Sequence, residues 1–159
     1  MAGRVVRSGR QSGDKIGNEE RLFRRIFAQE KYGHYEYKNG RIHLTDNAFN
    51  DREYEPSVDR ATLCKHGAES AKNPRNVSGG EKNGVAVLVA KEIRSIPPEI
   101  VAGKAVDVEY RPTQNPAHSV ILGRPSFTDL DFDLLKAQLC ILANSRKLAI
   151  KPISKKIRD

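Results

Sequence analysis

The sequence predicts an α+β domain with a mainly antiparallel sheet, and three observations carry that expectation. Asn39-Gly40 separates two β-type segments, Tyr35-Glu36-Tyr37-Lys38 and Arg41-Ile42-His43-Leu44-Thr45. Both turn residues tolerate positive φ, as a type I′ hairpin requires. The strand-like runs 84–90, 106–110 and 118–122 are short and bounded by Gly and Pro rather than separated by long helical patterns. One well-formed amphipathic helix comes late, after the strands, which is the order of an α+β chain.

Taken in order, residues 1–18 are Gly-, Ser- and Arg-rich without periodicity and are expected to be a mobile arm. Arg21 to Phe27 fits a strand or a short helix, because Leu22 and Ile26 share a face at either period. The 35–45 hairpin follows, and Ala48-Phe49 is expected to tuck inward from a polar loop. Ser57 is read as the cap of a short helix through Val58, Ala61, Leu63 and Cys64, with Asp59 in its first turn. A long polar loop over 66–84 carries one helical turn near Ala68 to Ala71.

Gly84 to Ala90 reads as a buried strand, Pro98 as the start of a helical turn, and Val106 to Tyr110 as a half-buried strand. His118 to Leu122 is a further strand, ended by Gly123. Thr128 or Asp129 caps the helix to about Asn144, with Leu130, Leu134, Leu135, Leu139 and Leu142 as its apolar stripe. Arg146 and Lys147 suit the dipole at its end. The organisation is thus a basic arm (1–18), an α+β core (19–123), a C-terminal helix (124–145) and a basic tail (146–159).

The 159 residues carry 28 Lys and Arg against 20 Asp and Glu, a net charge of +8. Much of the excess sits at the ends: Arg4, Arg7 and Arg10 in the arm, and Arg146, Lys147, Lys151, Lys155 and Lys156 in the tail. Basic ends suit a polyanion, since each neutralised phosphate releases counterions. Neither end holds an aromatic residue for base stacking. Two cysteines make no disulfide framework and fit a reducing compartment. No apolar signal region opens the chain, and the longest apolar run, Val85 to Ala90, is far short of a membrane span. A cytoplasmic protein without membrane contact is expected.

Reactive residues are scarce. Cys64 and His66 have no second pair to complete a tetrahedral site, and His34 and His43 supply too few further ligands, so no metal is expected. Ser78-Gly79-Gly80 leads into a strand, whereas a phosphate-cradling loop leads from a strand into a helix. Asn115-Pro116-Ala117-His118 is of more interest. The prolines stiffen the segment, and His118 opens a strand, where it either bonds a loop carbonyl or is held for a ligand. Ser57-Val58-Asp59-Arg60 is a second polar cluster.

The order of these motifs resembles a family of small bacterial proteins that have no assigned activity. The matching features are Arg24-Arg25-Ile26, Gly40-Arg41-Ile42 with Thr45 and Phe49, Ser57-Val58-Asp59, Gly84-Val85 and Asn115-Pro116-Ala117-His118. The resemblance covers roughly residues 20–123, and the C-terminal helix looks like an addition to it.

Two function classes follow, with a third beside them. The first is a basic binding module that contacts nucleic acid or an acidic partner protein, of the kind found in bacterial defence or toxin operons; it needs no cofactor. The second is an enzyme. An N-terminal Arg, a Ser or Thr on a later strand and a late His are loosely similar to ADP-ribosyltransferase-like and NAD-cleaving domains. That similarity implies Arg24 or Arg25, Thr45, Ser57 and His118 as site residues, with Glu109 or Asp59 as the carboxylate. The third is a structural subunit, docking on an operon partner or a second copy through the C-terminal helix. Convergence of Arg25, Thr45, Ser57 and His118 on one cleft favours the enzyme.

Overall fold

The computed structural model describes residues 15–113 and 115–154. Strands β1 (Arg21–Ile26), β4 (Ser57–Arg60), β5 (Gly84–Val89), β6 (Ala105–Tyr110) and β7 (His118–Arg124) form one sheet, in the spatial order β5-β1-β4-β7-β6. Every neighbouring pair in it is antiparallel. Strands β2 (Tyr35–Lys38) and β3 (Arg41–Leu44) make a separate hairpin, and the helices are α1 (Ala68–Lys72), α2 (Ala90–Arg94) and α3 (Asp129–Asn144). The chain is therefore α+β on a mainly antiparallel sheet, as its pattern predicts.

Local sequence decides several elements outright. Asn39 and Gly40 adopt φ of 53° and 77°, and the hairpin they close pairs Tyr35 with Leu44 and Lys38 with Arg41. Thr128 caps α3 by accepting from the Asp131 backbone N–H, while the Asp131 carboxylate accepts from the backbone N–H of Thr128. The long polar stretch contains α1 where one helical turn is expected.

Two expectations fail. Ser57 does not cap a helix: Ser57–Arg60 is the central strand, paired with β1 on one side and β7 on the other. A four-residue segment with a cap-like serine carries little local preference, so pairing on both edges decides its conformation. The apolar stripe of α3 is also displaced. Leu135 and Leu139 are buried with Phe132, Cys140 and Ala143, whereas Leu130 is 82% exposed and Leu134 and Ile141 are exposed as well. The many leucines concealed which stripe packs. Arg146 does not act on the helix end either, because its guanidinium pairs with Glu92 of α2.

One face of the sheet holds the core. Leu22 and Ile26, Val58, Ala86 and Leu88, Val106 and Val108, and Ile121 meet α3, α2 and the turn carrying Ala48 and Phe49. The C-terminal segment returns along the outer edge of β5, where Val85 N–H donates to the Ile150 carbonyl at 2.9 Å and Ala149 N–H to the Val85 carbonyl at 2.8 Å. Gly84 permits this approach, since a Cβ there would lie 2.6 Å from the Pro152 ring and 2.7 Å from the Ile150 carbonyl. A free sheet edge is thereby covered.

The core face ends in an ion pair. Arg60 Nε and Nη2 donate to the two Glu20 oxygens at 2.8 and 2.7 Å, and the Tyr110 ring stacks 4.7 Å from the Arg60 guanidinium carbon. Burial favours a neutral Glu20, but the Arg60 hydrogen bonds, the Gly17 N–H and the charges of Arg60 and Arg94 outweigh it and hold the carboxyl below its usual range.

Candidate functional site

The opposite face of the same sheet is polar at its centre. Strand alternation sends Phe23 and Arg25 from β1, Ser57 and Asp59 from β4, and His118 from β7 to that side, away from Leu22, Ile26 and Val58. Register then brings them together. Phe23 lies opposite Asp59, Asp59 lies opposite His118, and Arg25 and Ser57 stand two residues along their strands from the Phe23–Asp59 rung. Three adjacent strands thus contribute an arginine, a serine, an aspartate and a histidine to one patch.

Loops wall this patch into a cavity of about 380 Å³. One wall is the segment after β1, with Phe27, Tyr32 and His34; another is the stretch after α1, with Pro74 and Arg75; Asn50, Asp51 and Asn115 close the remainder. A second cavity of about 230 Å³ adjoins it and shares Arg25, Phe27, Tyr32 and Arg75. Two arginines therefore stand where the two spaces meet.

The two neighbouring arginines of β1 have different work. Arg24 donates to the carbonyls of Ala48 and Ser57 at 2.8 Å each and to that of Asn50 at 3.0 Å. Its guanidinium is spent on pinning the 48–50 turn against β4, and burial lowers its pKa to about 10. Arg25 lies over the Phe27 ring at 5.1 Å, and its Nε is buried without a hydrogen-bond partner among the described residues. Burial pulls its pKa down, Asp59 counters this and Arg75 adds to it. A buried donor left unmet costs about 1–3 kcal/mol, so Arg25 Nε is a donor in want of an acceptor.

His118 is held at both ring nitrogens. Nδ1 lies 2.8 Å from the Arg111 carbonyl and Nε2 lies 3.2 Å from Ser57 Oγ. A carbonyl only accepts, so Nδ1 carries a proton, and in the Nδ1–H tautomer Nε2 is the acceptor for the Ser57 hydroxyl. The 115–118 turn sets this geometry: Ala117 N–H donates to Asn115 Oδ1 at 2.9 Å and His118 N–H to the Asn115 carbonyl at 3.1 Å. Asp59 completes the cluster. Burial raises its pKa, against a hydrogen bond from Asn115 and the charges of His118 and Arg25.

His34 forms part of the aromatic wall. Its ring stacks on Phe27 at 4.9 Å, and Tyr32 lies 4.7 Å from Phe27. Nδ1 accepts from the Phe27 N–H at 3.0 Å. Burial, together with the charges of Arg24 and Arg25, lowers the His34 pKa to about 4.

Of the residues that the sequence puts forward, Arg25, Ser57 and His118 line this cavity together and Asp59 joins them, while Arg24 borders it with its guanidinium committed to backbone carbonyls. Thr45 does not line it; its hydroxyl donates to the Gly33 carbonyl and its N–H to the His34 carbonyl. Glu109 belongs to an ion-pair ladder with Arg111 and Arg124. Arg75 and the Phe27–Tyr32 pair are not picked out by the sequence, and His34 draws notice there only as a metal ligand. A histidine in a loop and an arginine in a polar run give no local signal of facing one cavity. Arg4, Arg7, Arg10, Lys155 and Lys156 lie outside the described residues, while Lys147 and Lys151 are exposed. Among the described residues no group of three or more His, Cys, Asp and Glu converges as a metal site. None of their helices is long and apolar enough to cross a membrane.

Comparison with protein-family models, with curated proteins and with solved structures finds no match to this chain.

Proposed function

We propose that the cleft binds a small phosphate-bearing ligand of nucleotide type. The observation that carries this reading is Arg25, whose buried Nε lacks an acceptor at the junction of two cavities that Arg75 also lines. Two guanidinium groups suit phosphate oxygens, and they face two carboxylates of the same cavity, Asp51 and Asp59. The exposed Tyr32 ring beside Phe27 offers a flat apolar surface for a base. Ser57, Asp59 and Asn115 offer polar contacts of the kind sugar hydroxyls take. Clefts of this size with a few convergent polar groups are the usual form of small-ligand sites.

Titration calorimetry with AMP, ADP-ribose, NAD and inorganic phosphate tests the reading. The nucleotides bind more tightly than phosphate alone, and Arg25→Met weakens them at least tenfold while its melting temperature stays near that of the parent. If no nucleotide binds, or if Arg25→Met binds as well as the parent, the reading fails.

A second reading, glycosidic cleavage of NAD, is favoured by one observation: a carboxylate, Asp59, stands in the cleft beside Arg25, Ser57 and His118. Such a carboxylate faces the positive charge that develops on a sugar carbon. Nicotinamide release that Asp59→Asn abolishes supports it, and no release from NAD removes it.

A further inference from the structure

We infer that Ser57 is a nucleophile towards phosphorus, activated by His118, so that the cleft cleaves a phosphate ester and does not merely hold one. The inference rests on the nucleotide reading for its substrate class, but its geometry is independent of any ligand. A serine hydroxyl is a weak nucleophile unless a base takes its proton, and a base acts well only in the correct tautomer. The Arg111 carbonyl at 2.8 Å fixes the His118 proton on Nδ1, which leaves Nε2 to receive the Ser57 proton at 3.2 Å. This is the division of labour of a nucleophile, a base and an orienting acceptor, with a backbone carbonyl as the third member.

The surroundings fit the reaction. Arg25 shares the cavity and has an unmet donor for a non-bridging phosphate oxygen, whose charge grows as Ser57 adds. Asp59, opposite His118 in the register, favours the imidazolium that forms. In the first step the Ser57 Oγ–P bond forms, the ester P–O bond breaks, and the proton passes from Ser57 through His118 Nε2 to the departing alcohol. In the second, water adds to phosphorus, the Oγ–P bond breaks, and His118 carries the water proton back to Ser57. The sum is hydrolysis of the ester, with water as the sole co-reactant.

Diisopropyl fluorophosphate tests the nucleophile without any nucleotide. The full chain is expected to gain a single diisopropylphosphoryl group, located on Ser57 by peptide mass spectrometry. Ser57→Ala gains none and His118→Gln reacts at least a hundredfold more slowly.

Because His118 is buried and its replacement can perturb folding, Ser57→Cys provides a second measurement. Its new thiol, beside Nε2, alkylates with iodoacetamide at neutral pH well before Cys64 and Cys140, whose thiols burial raises to about 11. No adduct on Ser57, or a new thiol no faster than Cys64, overturns the inference. Labelling without nucleotide binding would overturn the nucleotide reading and leave Ser57 as a nucleophile. Nicotinamide release that survives Ser57→Ala would assign the cleft's reaction to the glycosidic bond and overturn the phosphorus chemistry.

Discussion

The two faces of one sheet divide the work of this molecule. On the first, Leu22, Ile26, Val58, Leu88, Val108 and Ile121 bury against α3 and α2. On the second, the same strands present Arg25, Ser57, Asp59 and His118 to a cavity. Alternation along β1 and β4 separates the two sets by a single residue, so Val58 supports the fold while Ser57 and Asp59 face the cleft. The core face gains free energy by excluding water. The cleft keeps one buried donor, Arg25 Nε, without an acceptor among the described residues, and the core face supplies the stability that makes its retention tolerable.

The strongest way to break this division is to damage one face and look for an effect on the other. Leu139 is fully buried on α3, and Leu139→Ala removes buried methyl groups and leaves a cavity. A loss of about 2–5 kcal/mol is expected. Chemical denaturation would measure it. Nucleotide affinity at a temperature where the variant is still folded should match the parent. A large drop in affinity at full folding would show that α3 shapes the cleft and that the two faces are not independent.

How far the sequence disclosed each face follows from the range of the interactions. The 35–44 hairpin and the Thr128 cap are decided by residues within a few positions, and both were legible. Asn39-Gly40 meets a backbone requirement that few other residues satisfy. Ser57–Arg60 was not legible as a strand, because its conformation comes from β1 and β7, nearly forty and about sixty residues away in sequence. Arg25, Ser57 and His118 could be singled out by residue type and motif order, yet their meeting depends on that same strand. Thr45 carried the same sort of signal and is used inside the fold instead. His34 drew notice only as a metal ligand and Arg75 not at all, since only the folded loops bring them to the cavity.

The second test uses pH, because burial and two arginines disfavour the charged form of a histidine in the cleft wall. His34 has a folded pKa of about 4, against an ordinary value of 6.5. Above pH 6.5 the ring is neutral in both states and contributes no pH dependence. As pH falls from 6.5 towards 4, the unfolded chain takes up a proton that the folded chain refuses, so stability declines across that window and flattens below it. The loss is expected to reach up to roughly 3 kcal/mol. His34→Gln keeps an acceptor for the Phe27 N–H and removes the titration. Melting temperatures of parent and variant recorded from pH 8 to pH 4 should diverge below 6.5, with the parent falling faster. Parallel curves would mean that His34 is protonated in the folded protein without penalty, and the cleft would then be wetter than its burial indicates.

The smallest expected effect concerns the charge at the chain's end, which belongs to neither face. Arg146 is committed to Glu92, but Lys147 and Lys151 are exposed beside the segment that covers β5. If the basic ends contact a polyanion, each lysine acts as a point charge on a phosphate and carries no sequence information. Removing both, as Lys147→Ala with Lys151→Ala, should weaken binding to duplex DNA at low salt. It should also reduce the slope of log K against log salt by up to roughly 1.8, or 0.9 per phosphate contact. Gel shifts across a salt series measure this. The same double variant should bind AMP in the cleft as the parent does, because neither lysine lines either cavity. An unchanged slope would confine anion recognition to Arg25 and Arg75. A changed slope together with weakened AMP binding would join the tail to the cleft as one extended anion site, in which a nucleic-acid end enters the cavity while its backbone lies along the lysines.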